Sequence, residues 1–153
     1  MKITIRQLAD CPEFLDTVGN WIYHQWWQTP DNTSEVVLSL LRQHTVRDAM
    51  PFTLVALADG IPVGSCCVIA QDCAHRPQYT PWVAAVLVLE PYRHQGIASR
   101  LLQEATVVAT RAGLHGLYID CHRQTSSLYE QNGWTIHERE VGDKDSVVMF
   151  KPL

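Results

Sequence analysis

Residues 83–112 constrain this chain more than any other stretch. Val83-Ala84-Ala85-Val86-Leu87-Val88-Leu89 is an apolar run rich in β-branched side chains, which reads as a buried strand. It stops at Glu90-Pro91. Beyond that point Ile97, Leu101, Leu102, Ala105, Val108, Ala109 and Ala112 fall on one face of a helical period. Between strand and helix lies Arg93-His94-Gln95-Gly96-Ile97-Ala98. A helix start leaves backbone N–H groups without partners, and the aligned peptide dipoles put partial positive charge there. Gly96 and Ala98 let a bulky anion come close to those amides, and Arg93 adds a full charge. Such a turn is a device for holding phosphate or pyrophosphate. The single glycine falls short of the dinucleotide fingerprint, and no Gly-Lys-Ser/Thr of a nucleotide P-loop is present. The plainer alternative is a strand–turn–helix crossover with a solvated arginine.

The rest of the chain has no repeat, low-complexity tract or linker, so 1–153 is expected to be a single domain. Ile3, Ile5 and Leu8 suggest a first strand. Pro12 opens a helix carrying Leu15, Val18, Ile22 and Trp26 at helical spacing. A loop at 27–32 follows, and Asn32 or Thr33 can cap a second helix with Val37, Leu40 and Leu41 on its apolar side. Phe52 to Ala58 and Ile61 to Ala70 read as a hairpin across Asp59-Gly60. Residues 71–81 are polar, contain Pro77 and Pro81, and form a loop. After the 82–89 strand and the long helix, Gly113 is a stop signal. Leu117–Cys121 is a strand, Ser126–Gln131 a short helix, and Trp134–Arg139 and Val147–Lys151 are final strands. The order βααβββαβαββ predicts an α/β fold with a mixed sheet.

Charge narrows the partners. A net charge of −4 lacks the basic stripe of a nucleic-acid or anionic-membrane binder. No apolar stretch approaches a membrane span, and the alternating start Met1-Lys2-Ile3-Thr4-Ile5-Arg6 has no signal-peptide core. A cytoplasmic location is expected. The five cysteines, Cys11, Cys66, Cys67, Cys73 and Cys121, form no Cys-x-x-Cys pair and read as reduced thiols. Cys67, Cys73 and His75 lack zinc-site spacing, and no metal is expected.

Val88-x-x-x-x-Arg93-x-x-Gly96-Ile97-Ala98, with Leu101-Leu102 and then Leu128-Tyr129-Glu130-x-x-Gly133-Trp134, resembles the GCN5-related N-acetyltransferases (GNAT superfamily). The resemblance covers nearly the whole chain. It implies a mixed, mostly antiparallel sheet of about seven strands flanked by about four helices, with strands four and five splayed to admit a pantetheine arm. It implies acetyl-CoA as co-substrate. Arg93, His94, Gln95, Gly96, Ile97, Ala98 and Ser99 would then cradle the pyrophosphate, and the backbone of Val86, Leu87 and Val88 would hold the acetyl carbonyl and pantetheine amides. The implied reaction moves an acetyl group directly to a primary amine in a ternary complex. The other reading is a non-catalytic acyl-CoA-binding or sensor module of the same fold. The partner would be a small-molecule or peptide amine, with no nucleic acid and no membrane, and a homodimer is left open.

Two residues are the candidates for chemistry. Tyr129 stands where the resemblance puts the tyrosine facing the departing thiol, which a phenol can protonate; its alternative is a half-buried aromatic on a short amphipathic helix. Many members place a glutamate about six residues before the strand-four valine, but Trp82 stands there and 80–89 holds no carboxylate. Asp72 is therefore the preferred general base, with His75 and Glu90 as others, each of which also reads as a plain loop residue. His122 lies near where many members have an asparagine touching pantetheine; it substitutes for that residue or faces solvent. Trp27, His75, Tyr79 and Trp82 are expected at the substrate, where aromatic faces beside a carboxylate suit a cationic amine. Trp26, continuing the helical stripe, is expected in the core.

Overall fold

The structure, a computed structural model, describes all 153 residues. Its strands are β1 (Ile3–Gln7), β2 (Phe52–Ala58), β3 (Ile61–Ile69), β4 (Trp82–Val88), β5 (Gly116–His122), β6 (Thr135–Arg139) and β7 (Ser146–Pro152). Its helices are α1 (Leu15–Ile22), α2 (Ser34–Leu41), α3 (Ile97–Arg111) and α4 (Ser126–Gln131). One seven-stranded sheet runs in the order β1-β2-β3-β4-β5-β7-β6. Every neighbouring pair is antiparallel except β4 and β5. The expected order and splayed mixed sheet are present.

Local chemistry explains the elements. Asp59 and Gly60 both take positive φ, 48° and 84°, the two left-handed residues that a tight hairpin needs to match strand twist. β2 is buried along its whole length, because helices cover both faces of the sheet. On one face α3 lays Ile97, Leu101, Leu102, Ala105, Val108 and Ala109 against Leu54, Val63, Val83 and their neighbours. On the other, Val18 and Ile22 of α1 and Val37 and Leu41 of α2 meet Val55, Leu57 and Cys67.

Two expectations change at the first helices. The segment from Pro12 begins as a 3-10 turn, becomes α1, and continues as a π-helical turn over Tyr23–Trp27. The wider i→i+5 turn shifts the register, so Trp26 leaves the core stripe and is 47 % exposed. At α2, Thr33 occupies the N-cap position but its side chain bonds no helix amide. Asn32 instead donates to Thr29 Oγ1.

Between β4 and β5 the sheet holds by one residue pair, Trp82 with Tyr118, supported by a Tyr118 N–H to Pro81 carbonyl bond of 2.9 Å. An aromatic cluster closes this point. The Tyr118 ring stacks on Tyr79 at 4.7 Å and contacts Trp82 at 5.4 Å and Phe150 at 4.8 Å. Past Trp82 and Tyr118 the strands part. β4 also carries a bulge: Ser65 pairs with Leu87 but Cys67 pairs with Ala84, so Ala85 and Val86 share one place opposite Cys66. Ala85 takes φ 53°, a costly conformation for a residue with a Cβ.

Behind the bulge, a Cβ at Gly64 would lie 2.8 Å from the Leu87 carbonyl oxygen, so glycine lets β3 approach the distorted strand. Gly64→Ala is expected to cost about 1–3 kcal/mol through this clash, measured by urea unfolding; unchanged stability would mean that β4 gives way freely.

A second stability device is buried beside the sheet. His44 Nδ1 and Thr53 Oγ1 are 2.9 Å apart, and Thr53 Oγ1 is 3.1 Å from Cys67 Sγ. Burial pushes the His44 pKa down to about 4, slightly opposed by a bond to the Phe52 backbone. Above the ordinary value of 6.5 both folded and unfolded chains hold a neutral ring. Between 6.5 and 4 only the unfolded chain takes up the proton, so stability falls as pH is lowered through that window. From pH 7 to 5 the wild type is expected to lose about 2 kcal/mol more than His44→Gln, which does not titrate. Parallel losses in denaturant titrations at the two pH values would remove His44 as the cause.

Candidate active site

The turn into α3 is the first half of the site. Gly96 is the N-cap residue at φ 79°, ψ 9°, and His94 is also left-handed at φ 62°. Two such residues in so short a turn aim successive amides to one side, forming an anion nest. The N–H groups from His94 to Ser99 find no acceptor within the chain, whereas Arg93 N–H is bonded to Glu90 and Arg100 N–H to Gly96. Six consecutive donors are thus free at the positive end of a fifteen-residue helix. Arg93 is exposed and its Nε donates to the Val88 carbonyl at 2.8 Å, fixing the end of β4 to the turn while its other donors stay free. That bond occupies the Val88 carbonyl, one of the backbone groups expected to serve pantetheine.

The side chains of the turn divide their work. Ile97 is buried in the α3 core, so only its backbone can serve a ligand. Ser99 Oγ accepts from Asn132 Nδ2 at 3.0 Å and ties α3 to α4. Gln95 reaches back to the Pro91 carbonyl at 3.5 Å.

The second half is the cleft where β4 and β5 part, about 970 Å³ in volume. Val83–Val86 form one wall and Ile119–His122 the other, with Tyr129 between them. Past Trp82 the edge of β4 that faces β5 has no strand partner. Its backbone groups, with the peptide units turned by the bulge, are available to something lying in the cleft.

Tyr129 is 8 % exposed, with its ring edge-on to Trp134 at 6.3 Å. Desolvation raises its pKa first, and the Cys121 and Cys66 thiols add to that. Tyr129 therefore keeps its proton throughout the physiological range and faces the cleft as a hydrogen-bond donor.

Asp72 reaches the cleft from the loop after β3. Although Asp72 is an exposed residue, partial desolvation of its carboxyl, and then the charge of Asp120, raise its pKa to about 6. Of the three acceptors weighed from sequence, Asp72 alone lines this cleft. Glu90 lies in an exposed turn, and the His75 ring packs by Gly142, where an added Cβ would come within 2.8 Å of it.

The expected substrate residues separate. Trp27, 37 % exposed, lines the cleft. His75, Tyr79 and Trp82 do not line it. Trp82 is fully buried, its indole N–H donating to the Tyr79 carbonyl at 2.7 Å. Tyr79 donates its hydroxyl proton to Glu138, which also takes 3.0 Å and 2.6 Å bonds from Arg76. Arg76 first and Tyr79 second hold the Glu138 carboxyl down at about 2. These aromatics close the vertex of the cleft and anchor its loop.

Three residues were not singled out for the site. Trp26 turns into the cleft through the π-helical turn, and His44 lines its far end. Asp120 sits in the strand Leu117-Tyr118-Ile119-Asp120-Cys121, yet its carboxylate belongs to the cleft. Burial raises its pKa, with Asp143 adding to the rise and Cys73 and His75 opposing it. A lone carboxylate in an otherwise apolar strand was the available signal, since burying such a charge unpaired is expensive.

Known proteins share this architecture. A structure of a GNAT-family acetyltransferase from Streptococcus pneumoniae superposes with a TM-score of 0.74 at 19 % identity, covering 99 % of each chain. Salmonella typhimurium yncA, solved with its cofactor acetyl-CoA, gives 0.74 at 20 % identity, over 100 % of this chain and 95 % of its own. The NatC complex bound to Gag peptide and CoA gives 0.73 at 18 % identity, over 100 % and 99 %. At such identities the likeness speaks for the fold. No curated protein gives a significant sequence match. The sequence model of the acetyltransferase (GNAT) family matches residues 17–134, from within α1 to Trp134 beyond α4. The chain belongs to the GNAT family of acetyltransferases.

Proposed function

We propose that this protein is an acetyl-CoA-dependent N-acetyltransferase, one acyltransferase domain over residues 1–153 that moves an acetyl group directly to a primary amine in a ternary complex. The observation that carries this reading is the run of six free amides from His94 to Ser99, set beside a cleft opened by the parting of β4 and β5. A pyrophosphate held on the amides places the pantetheine arm along the unpartnered edge of β4. The acetyl carbonyl then meets the bulged backbone at Ala85–Val86, where an N–H would stabilise the developing oxyanion.

The amine nitrogen attacks the acetyl carbon, and collapse of the tetrahedral intermediate breaks the carbon–sulfur bond. Tyr129 donates its hydroxyl proton toward the departing thiolate, while Asp72 receives the proton lost by the amine, directly or through water. Because the Tyr129 phenol is a weak acid, it stabilises the thiolate mainly by hydrogen bonding and regains any proton it gives from solvent. Asp72 and Asp120 offer the carboxylates that β4 lacks, which supports a catalytic reading over a non-catalytic acyl-CoA sensor.

Gly96→Val places a β-branched side chain at φ 79°. It is expected to weaken acetyl-CoA binding at least thirtyfold, about 2 kcal/mol, by calorimetry on the folded variant. Unchanged affinity would sink the pyrophosphate assignment.

Tyr129→Phe keeps the ring and its packing on Trp134. The expected outcome is near-normal acetyl-CoA affinity with kcat reduced about a hundredfold; full turnover would leave the tyrosine a packing residue.

The rate should also fall as pH drops through about 6, where Asp72 gains a proton, and Asp72→Asn should flatten that limb. A profile unaltered by the substitution would assign the base elsewhere.

A further inference from the structure

The cleft has a charge pattern that restricts the acceptor. Its titratable side chains include two carboxylates, Asp72 and Asp120, and no lysine or arginine. Its two imidazoles are those of His44 and His122. That of His44, at the far end, is buried and bonded to Thr53, which leaves it neutral, and that of His122 lies 4.0 Å from Asp145, a carboxylate of its own outside the cleft lining. A substrate carboxylate beside Asp72 and Asp120 would therefore meet two negative groups and no lysine or arginine, and the like charges would repel it. An ammonium group would be drawn to the same place, because its charge offsets the mutual repulsion of the two aspartates.

The remaining walls are mostly apolar, with the neutral polar side chains of Gln43, Gln71 and Thr125 among them. Ile22, Val37 and Leu41 form the floor under α1 and α2, while Trp26, Trp27 and Leu40 stand at the mouth, 47 %, 37 % and 44 % exposed. Three large apolar side chains left in water at one opening mark a surface meant to be covered. Beside these six stands the neutral amide of Gln43 but no carboxylate that could pair with a second ammonium at the far end of a polyamine. An acceptor body placed there gains by leaving water and by lying on indole faces.

We infer, resting on the acetyltransferase reading above, that the acceptor is a small primary monoamine with an apolar or aromatic body and no carboxylate, its ammonium held between Asp72 and Asp120 and its body against Trp26, Trp27 and Leu40. Asp120 is the specificity-determining residue this adds. It holds the amine by charge, and Asp72 takes the proton.

The test compares 2-phenylethylamine, L-phenylalanine and 1,4-diaminobutane as acceptors for the full chain with acetyl-CoA, following CoA release. The first should exceed L-phenylalanine in kcat/KM about a hundredfold or more and the diamine about tenfold or more. Asp120→Asn should raise KM for 2-phenylethylamine about tenfold and narrow the gap to L-phenylalanine. Trp27→Ala should lower its kcat/KM about tenfold while changing the diamine much less. A preference for L-phenylalanine or the diamine, or an Asp120→Asn enzyme with unaltered discrimination, overturns the inference. If no amine releases CoA although acetyl-CoA raises the melting midpoint, acetyl transfer to amines is what fails. The same three compounds then decide the inference as ligands of the CoA-saturated protein: a selective stabilisation by 2-phenylethylamine upholds it, and equal or absent shifts refute it.

Discussion

Everything at the site depends on the sheet letting go. β4 and β5 meet at Trp82 and Tyr118 and nowhere beyond, so two central strands of a continuous sheet end side by side with a space between them. Parallel pairing across that space would have satisfied their backbone groups and filled the cleft with chain. The aromatic stack of Tyr79, Trp82, Tyr118 and Phe150 resists both failures. It clamps the vertex so that the sheet does not come apart, and its bulk keeps the strands from zipping further. The β5–β7 pairing, regular from Gly116 to His122, then carries β5 away at its own angle.

Two backbone accommodations follow from that opening. Ala85 bends β4 where it loses its neighbour, and Gly64 behind it gives the bent strand room. At the other end of β4, Arg93 ties the Val88 carbonyl to the nest formed through His94 and Gly96. Cleft and nest are thus joined by one rigid strand, and an elongated ligand with an anion at one end would find both ends set before it arrives.

The sequence made much of this legible because the relevant signals are local. Apolar periodicity located the strands and α3, Asp59-Gly60 fixed its hairpin, and Arg93 to Ala98 disclosed the anion nest. What escaped was set by contacts distant in the chain. Trp26 looked like core until a π-helical turn moved it one step round the helix. Tyr79 and Trp82 looked like substrate residues because they are aromatic beside a polar loop, but Tyr118 and Glu138, far along the chain, take them as partners. Asp120 was read as part of a strand, and only the missing neighbour of β5 turns that strand position into a cleft wall. Asp72 was reachable from sequence by elimination, yet its raised pKa comes first from desolvation in the cleft and then from the charge of Asp120, and so is a property of the fold.

The nest at the start of α3 offers main-chain donors, and this has an evolutionary consequence. Peptide N–H groups are the same in every sequence, so substitutions at His94, Gln95 or Ser99 leave the donor array in place provided the backbone angles survive. Selection can hold such a site constant through two torsions while its letters drift. The proposed acceptor end has no such insurance, because Asp72, Asp120 and the two indoles would act there through their side chains. In a lineage of this kind the nest would stay fixed in geometry and variable in spelling, while the acceptor end of the cleft would change its ligand whenever its spelling changes.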